Sequence, residues 1–331
     1  MEVLPGNAQI FIVGMNGSGT TMLLDHLDNH SRIYGFPGET RILPYMLRKA
    51  RRSGDLRNDK NWRALWDEMR TAFPFWKANG RASVPLPEEW REIQRNLPAI
   101  FDNLMSYFAR LHGKAIWCEK TPMHALHIRS LSEAFPAAKF LHCIRDGRDS
   151  AASFHRRYGY DAKCTVYRWK RTVLSAQAQG REIADRYREV KFEQITADPE
   201  SVLASICQFL GVEFEDSLTT SSRSGPRFKG IHNSTIVPNS GRFRSYFDQK
   251  AILDMEDIAG ALLHRLGYDV GNSTGDRDLN ATLAWARDFI VRCKLGLKEI
   301  PQRMRSRSGS PFRFLFGRIL SSLKQSRTNR F

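Results

Sequence analysis

Residues 9–24, QIFIVGMNGSGTTMLL, decide the fold. Residues 9–13 are a short β-branched apolar run, the pattern of a strand buried on both faces. The run stops at Gly14, and a Gly/Ser loop continues to Gly19. Thr20 then opens a helical pattern with Leu23, Leu24 and Leu27 on one side. Strand, glycine loop and helix in that order begin an α/β unit. The loop has the G-x-x-x-x-G frame of a phosphate cradle. Glycines let backbone N–H groups turn inward, and the positive end of the next helix points at the same spot. Position 20 narrows the class. A nucleoside triphosphatase carries Lys there to reach the outer phosphates, whereas this chain has Thr20, and no strand ends in a persuasive acidic metal-holding residue. The loop is read as holding an anion other than a magnesium–nucleoside triphosphate.

Working outward, residues 139–144 (KFLHCI) form a second buried strand, 115–118 a shorter one and 189–192 a weak one. Helical patterns cover 123–135, 148–157, 166–187, 199–210 and 251–266. Residues 48–114 differ in character. They are rich in Trp, Arg and Glu, with helical patches at 62–72 and 88–111 separated by Pro74, Pro85 and Pro87, and they read as a helical insertion. Residues 217–240 are rich in Ser, Thr, Gly and Asn and read as a long loop, of the kind that forms lids or binding segments. No internal repeat is present. The expected fold is α/β: a P-loop-type three-layer arrangement around a central parallel sheet, with the insertion added.

With 331 residues, 41% hydrophobic and 26% charged, the chain can bury a sizeable core without disulfides. Its five cysteines are widely spaced with no CxxC pair, so they read as reduced core thiols rather than a zinc site. No metal is called for. The first residues lack a basic start followed by an apolar run, and no stretch approaches the ~20 apolar residues of a membrane span. The expectation is a cytoplasmic protein. The net charge is +16, but residues 287–331 hold 12 Lys/Arg against 2 Asp/Glu. That tail mixes Phe, Leu and Ile with Arg and Lys over 310–324 (SPFRFLFGRILSSLK) and could lie on an anionic membrane surface. A flexible basic tail is the plainer reading. Nothing else in the chain resembles a nucleic-acid reader.

Residues 11–24 resemble the 5′-phosphosulfate loop of sulfotransferases that use 3′-phosphoadenosine 5′-phosphosulfate (PAPS). Three further matches follow in order. In KFLHCIRDGRDSAAS (139–153), Arg145 ends a strand and Ser153 follows eight residues later, the family's 3′-phosphate pair. KFEQITADPE (191–200), continuing to Phe209-Leu-Gly, resembles its strand-plus-helix region. Gly241-Arg242-Phe-Arg244 resembles its late basic segment. Together they span residues 10–268. Two details resemble the tyrosylprotein sulfotransferase branch and its bacterial relatives: Glu39-Thr-Arg41, and Glu119-Lys120-Thr-Pro122. The resemblance implies PAPS as co-substrate and a hydroxyl-bearing acceptor. Residues 1–286 would be the catalytic domain, with the insertion at 48–114, and 287–331 the basic tail. The loop N–H groups of Gly17, Ser18, Gly19, Thr20 and Thr21 would hold the phosphosulfate. Arg145, Ser153 and Arg242 would hold the 3′-phosphate. Glu39 would be the general base, Arg41 would place the acceptor and Lys120 would contact the transferring group.

The sequence departs from the family at Gly17, where Arg or Lys usually neutralises the bridging oxygen. Lys120, Arg41 and Arg244 are the candidates to compensate. Plainer readings stand beside each assignment: an ion pair of Glu39 with Arg41, an exposed turn lysine at 120, a structural Arg145 paired with Asp149, and a surface charge at Arg242. His124 is a rival base. A small-molecule kinase on the same scaffold, or a non-catalytic protein binding the desulfated nucleotide (PAP) or an anionic surface, are the alternative functions.

Overall fold

The structure is a computed structural model that describes residues 9–220, 240–271 and 275–278. The basic tail and most of the 217–240 loop lie outside the described residues. Two compact units form, one from Met1–Arg145 with Thr172–Asn239 and one from Asp146–Arg171 with Ser240–Phe331.

The first unit is built on one sheet of β1 (Ile10–Gly14), β2 (Ile33–Gly35), β3 (Ile116–Lys120), β4 (Lys139–Ile144) and β5 (Tyr187–Lys191). Neighbours run parallel in the order β2-β3-β1-β4-β5. The central β1 alternates between two cores, as a strand's two-residue period requires. Phe11 and Val13 join Trp117, Phe140 and the insertion's Trp62, Phe75 and Phe101 on one face. Ile10 and Ile12 join Cys118, Leu141 and Cys143 on the other, with Leu23, Leu24 and Leu27 of α1 (Thr20–Leu27) and with Leu203, Ile206 and Leu210. Burial on both faces explains why β1 and β4 read as continuous apolar runs.

α2 (Leu43–Ala50) begins ahead of the insertion expected at 48–114, which holds α3 (Asp59–Arg70), α4 (Phe73–Ala78) and α5 (Leu97–Leu111). Two expectations change here. Residues 88–96 are not helical: the Asn96 side chain accepts the Ala99 N–H at 2.8 Å and starts α5 there. Pro74 does not separate helices but sits in the first turn of α4, where a missing N–H costs nothing. Residues 123–135 also divide, into a 3-10 turn (Pro122–Leu126) and α6 (Ile128–Ala134).

β4 leads into α7 (Gly147–Tyr158) and then α8 (Ala162–Gly180), which ends seven residues before the end expected from sequence. After β5, α9 (Phe192–Ala197) and α10 (Pro199–Leu210) follow, with Gly211 closing α10 as the sequence indicates. The second unit takes in α7, the first part of α8, α11 (Phe243–Tyr246) and α12 (Gln249–Arg265). Within it Arg148 is buried, bidentate to Asp146, paired with Glu256 and covered by the Phe243 ring at 4.1 Å. Cys118, Cys143, Cys164 and Cys207 are buried thiols outside any disulfide, the core thiols expected, while Cys293 lies outside the described residues. Burial pushes the Cys207 thiol up to about 11. Among the described residues no helix is long and apolar enough to cross a membrane.

Candidate active site

Parallel strands release their loops at one edge, and in this sheet order the chain reverses direction around β1. Register shows which residues share that edge. Ile12 pairs with Lys120 on one side of β1, and Gly14 pairs with Cys143 on the other. The glycine loop, Lys120 and Arg145 therefore emerge together.

Gly17 has φ 92° and Gly19 has φ 93°, in the left-handed region that side chains avoid. On this path a side chain at residue 17, where the family usually has Arg or Lys, would be strained. At Gly19 a second reason applies, because a Cβ would stand 2.5 Å from the Phe192 ring. The N–H groups of Thr20 and Thr21 lie in the first turn of α1, where no helical carbonyl can take them. Ser18 behaves differently. Its N–H and its Oγ both donate to the Met15 carbonyl, at 3.1 and 2.7 Å, so it braces the loop from within. No acidic residue occurs from Gly14 to Thr21, and none in the first turn of α1. Arg145 is buried, stacks on Phe192 at 4.4 Å and donates Nη1–H to the Gly17 carbonyl at 3.4 Å. A phosphate-type anion fits these donors: backbone amides, hydroxyls and one guanidinium.

The expected acid–base group assembles in the same unit. Glu39 and Arg41 follow β2. Lys120 Nζ donates to Glu39 Oε1 at 2.9 Å, and Arg41 Nε donates to Oε2 at 2.6 Å. Lys120 is buried, not an exposed turn lysine, whereas the Arg41 side chain is 70% exposed. Glu39 is thus an ion-pair partner of Arg41 as well as a candidate base. His124 faces away from this role: its Nδ1 meets the Glu119 carboxylate at 3.1 Å inside the core.

Ser153 and Arg242 belong to the second unit. The Asp149 carboxylate accepts the N–H groups of Gly241 and Phe243, at 2.8 and 2.9 Å, on either side of Arg242. Ser153 lies one helical turn after Asp149, on the same face of α7. That unit therefore brings Ser153 and exposed Arg242 to one side. The sequence gives no sign of the contributions of Phe192 and Glu119, and it offers Asp149 only as a partner of Arg145, not as the acceptor for the N–H groups beside Arg242. Each sits inside a quoted motif, but nothing in the spacing separates a residue that touches an anion from one that holds its neighbours.

The model of the sulfotransferase family matches residues 9–216. Protein-tyrosine sulfotransferase 2 of Gallus gallus is 29% identical over 282 residues, covering 78% of this chain and 69% of the relative. The omega-hydroxy-beta-dihydromenaquinone-9 sulfotransferase of Mycobacterium bovis is 24% identical over 312 residues, covering 81% and 77%. Among solved structures, the sulfotransferase domain of the Synechococcus olefin synthase superposes with TM-score 0.55 at 24% identity, over 81% of this chain and 96% of that domain, which supports the fold. With the loop, the basic strand ends and the five-stranded parallel sheet in agreement, the chain belongs to the sulfotransferase family.

Proposed function

We propose that the protein transfers a sulfuryl group from PAPS to a hydroxyl of its acceptor, with the donor's phosphosulfate in the glycine loop and the transfer occurring beside the Glu39–Lys120 pair. The observation that carries this reading is that pair: a carboxylate and a buried ammonium 2.9 Å apart at the sheet edge that carries the glycine loop. PAPS supplies an activated sulfate and a good leaving group. The residues do the rest. Thr20 and Thr21 present amide donors to the phosphosulfate, and Arg145 supplies a guanidinium beside the loop. Glu39 accepts the proton of the acceptor hydroxyl as the new O–S bond forms and the bond to the 5′-phosphate oxygen breaks. Lys120 donates to the equatorial oxygens that gather charge. Arg41, largely exposed, orients the acceptor. Arg145, Ser153 and Arg242 take the 3′-phosphate.

The relatives are named for a protein tyrosine and a lipid alcohol, so these are the acceptor classes to try first. A cytoplasmic setting and contact of the basic tail with an anionic membrane belong to the same proposal. What supports the second is the tail's 12 basic against 2 acidic residues. The test is transfer of radiolabelled sulfate from PAPS to tyrosine peptides, long-chain lipid alcohols and glycans. Wild type labels one class, and Glu39→Gln loses about 100-fold or more in rate. Intact PAP binding without transfer to any hydroxyl would instead favour the non-catalytic alternative.

A further inference from the structure

We propose that Glu119 is a positioning residue for this reaction, gripping Thr40 from the core so that Glu39 and Arg41 stay in place when Lys120 turns to the transferring group. The inference rests on the proposed function and names a part of the site that the resemblance does not assign.

Glu119 is fully buried. A carboxylate in such a place needs partners, and it has four bonds. Its Oε1 accepts the Thr40 N–H at 3.0 Å, the Thr40 Oγ1–H at 2.9 Å and the Thr121 Oγ1–H at 2.5 Å. Its Oε2 meets His124 Nδ1 at 3.1 Å. His124 Nε2 is buried with no partner among the described residues, so Glu119 supplies that ring's one polar contact found there.

Consecutive residues at the end of β3 thus hold consecutive residues of the loop after β2. Glu119 holds Thr40, and Lys120 holds Glu39. Two contacts fix the orientation of a peptide unit that one contact would leave free to swing. Their duties differ. Lys120 is asked to serve the developing charge, and when it does its hold on Glu39 weakens. Arg41 is too exposed to replace it. The Glu119–Thr40 contact lies outside the chemistry and is unaffected by it. Displacing a base by even ~1 Å can cost about 100-fold in rate, so an anchor of this kind has a direct kinetic value.

The test uses the full-length protein with Glu119→Leu, Thr40→Val and Thr40→Ser, each alone and with Glu39→Gln. Thr40 amide hydrogen exchange is read first, because it needs no acceptor. It should quicken about 10-fold or more in Glu119→Leu, which has no oxygen to accept that N–H, while PAP affinity stays within about 2-fold. In transfer assays Thr40→Val should lower kcat about 10- to 100-fold with KM for PAPS unchanged. Thr40→Ser, which keeps the hydroxyl, should recover most of the rate. Thr40→Val should add little in the Glu39→Gln background, since both act through one group. Unchanged Thr40 exchange in Glu119→Leu overturns the proposal. So does a Thr40→Val loss that is fully additive with Glu39→Gln, or one accompanied by an equal loss of PAP affinity. Transfer that survives Glu39→Gln would be a failure of the parent reading. Transfer lost in Glu39→Gln but intact in Thr40→Val and Glu119→Leu would sink this inference alone.

Discussion

Gly17 shows how far a single residue can be read. The sequence registers it only as a missing cation. Its φ of 92° adds that a side chain there costs about 1–2 kcal/mol of backbone strain. Putting back the family's residue with Gly17→Arg should therefore lower the unfolding free energy measured in urea by that amount and leave transfer no faster than wild type. A several-fold gain in kcat at unchanged stability would mean that the loop accepts the side chain and lacks only its charge. Lys120 is the complementary case. Its identity was legible in the Glu119-Lys120-Thr-Pro quartet, but its burial and its bond to Glu39 were not, because both depend on a loop 81 residues away in sequence. Lys120→Ala should cost at least about 100-fold in kcat, measured with the same labelled donor, and leave PAP affinity nearly intact. The pairing of Arg41 with Glu39 had been foreseen as the plain reading, and it coexists with the functional one.

At the scale of elements, legibility followed local physics. β1, α1, β4 and α10 each carry their own signal: an apolar run, a glycine stop or a proline start. β2 has three residues and derives its strand character from pairing with β3, which no local pattern encodes. The start of α5 turned on the Asn96 cap, and Asn96→Ala should cost about 1 kcal/mol in chemical denaturation. The packing of α5 on the sheet matters more. Phe101 contacts Trp117 and Phe135, with ring centroids 5.6 Å apart in each case, and is fully buried. Phe101→Ala should lose about 3–5 kcal/mol. Tyr45→Ser, on an exposed face of the neighbouring α2, should stay within about 0.5 kcal/mol. The acid–base loop after β2 and the turn after β3 were each quoted from sequence. That Glu119 joins them was not, because a lone carboxylate inside an apolar strand gives no sign of which way it will be satisfied.

Across the whole molecule, buried titratable groups set the response to acid. Burial pushes His142 down to about 3, and burial with the nearby charges of His124 and Arg48 pushes His127 down to about 4. Unfolding lets both take up protons below the ordinary histidine value of about 6.5. The unfolded chain then binds more protons than the folded one, so stability falls as pH drops from about 6.5 towards those lower values. Glu119 adds to this at lower pH. Burial alone would raise its carboxyl, but the His124 charge and the Thr121 and Thr40 donors outweigh burial and hold it below its ordinary value. Its contribution is complete above about 4.3 and is lost as pH falls through its depressed value. Urea midpoints measured from about pH 7 to pH 4 should therefore decline, and His142→Gln should flatten the upper part of the decline. A flat profile in wild type would contradict the burial of these rings as described.

The two units bear on function through the residues they divide. The loop, Glu39, Lys120 and Arg145 lie in one, and Ser153 and Arg242 in the other. The donor is the most direct probe of the loop and Arg145. Isothermal titration of PAP without added metal, into wild type and into Arg145→Ala, tests it. Wild type should bind with a Kd on the order of 1 μM, weakened about 10- to 100-fold by Arg145→Ala, as the loss of a charge-assisted phosphate contact should do. Absence of PAP binding by the wild-type protein would contradict the assignment of the glycine loop and its flanking arginine as the donor site.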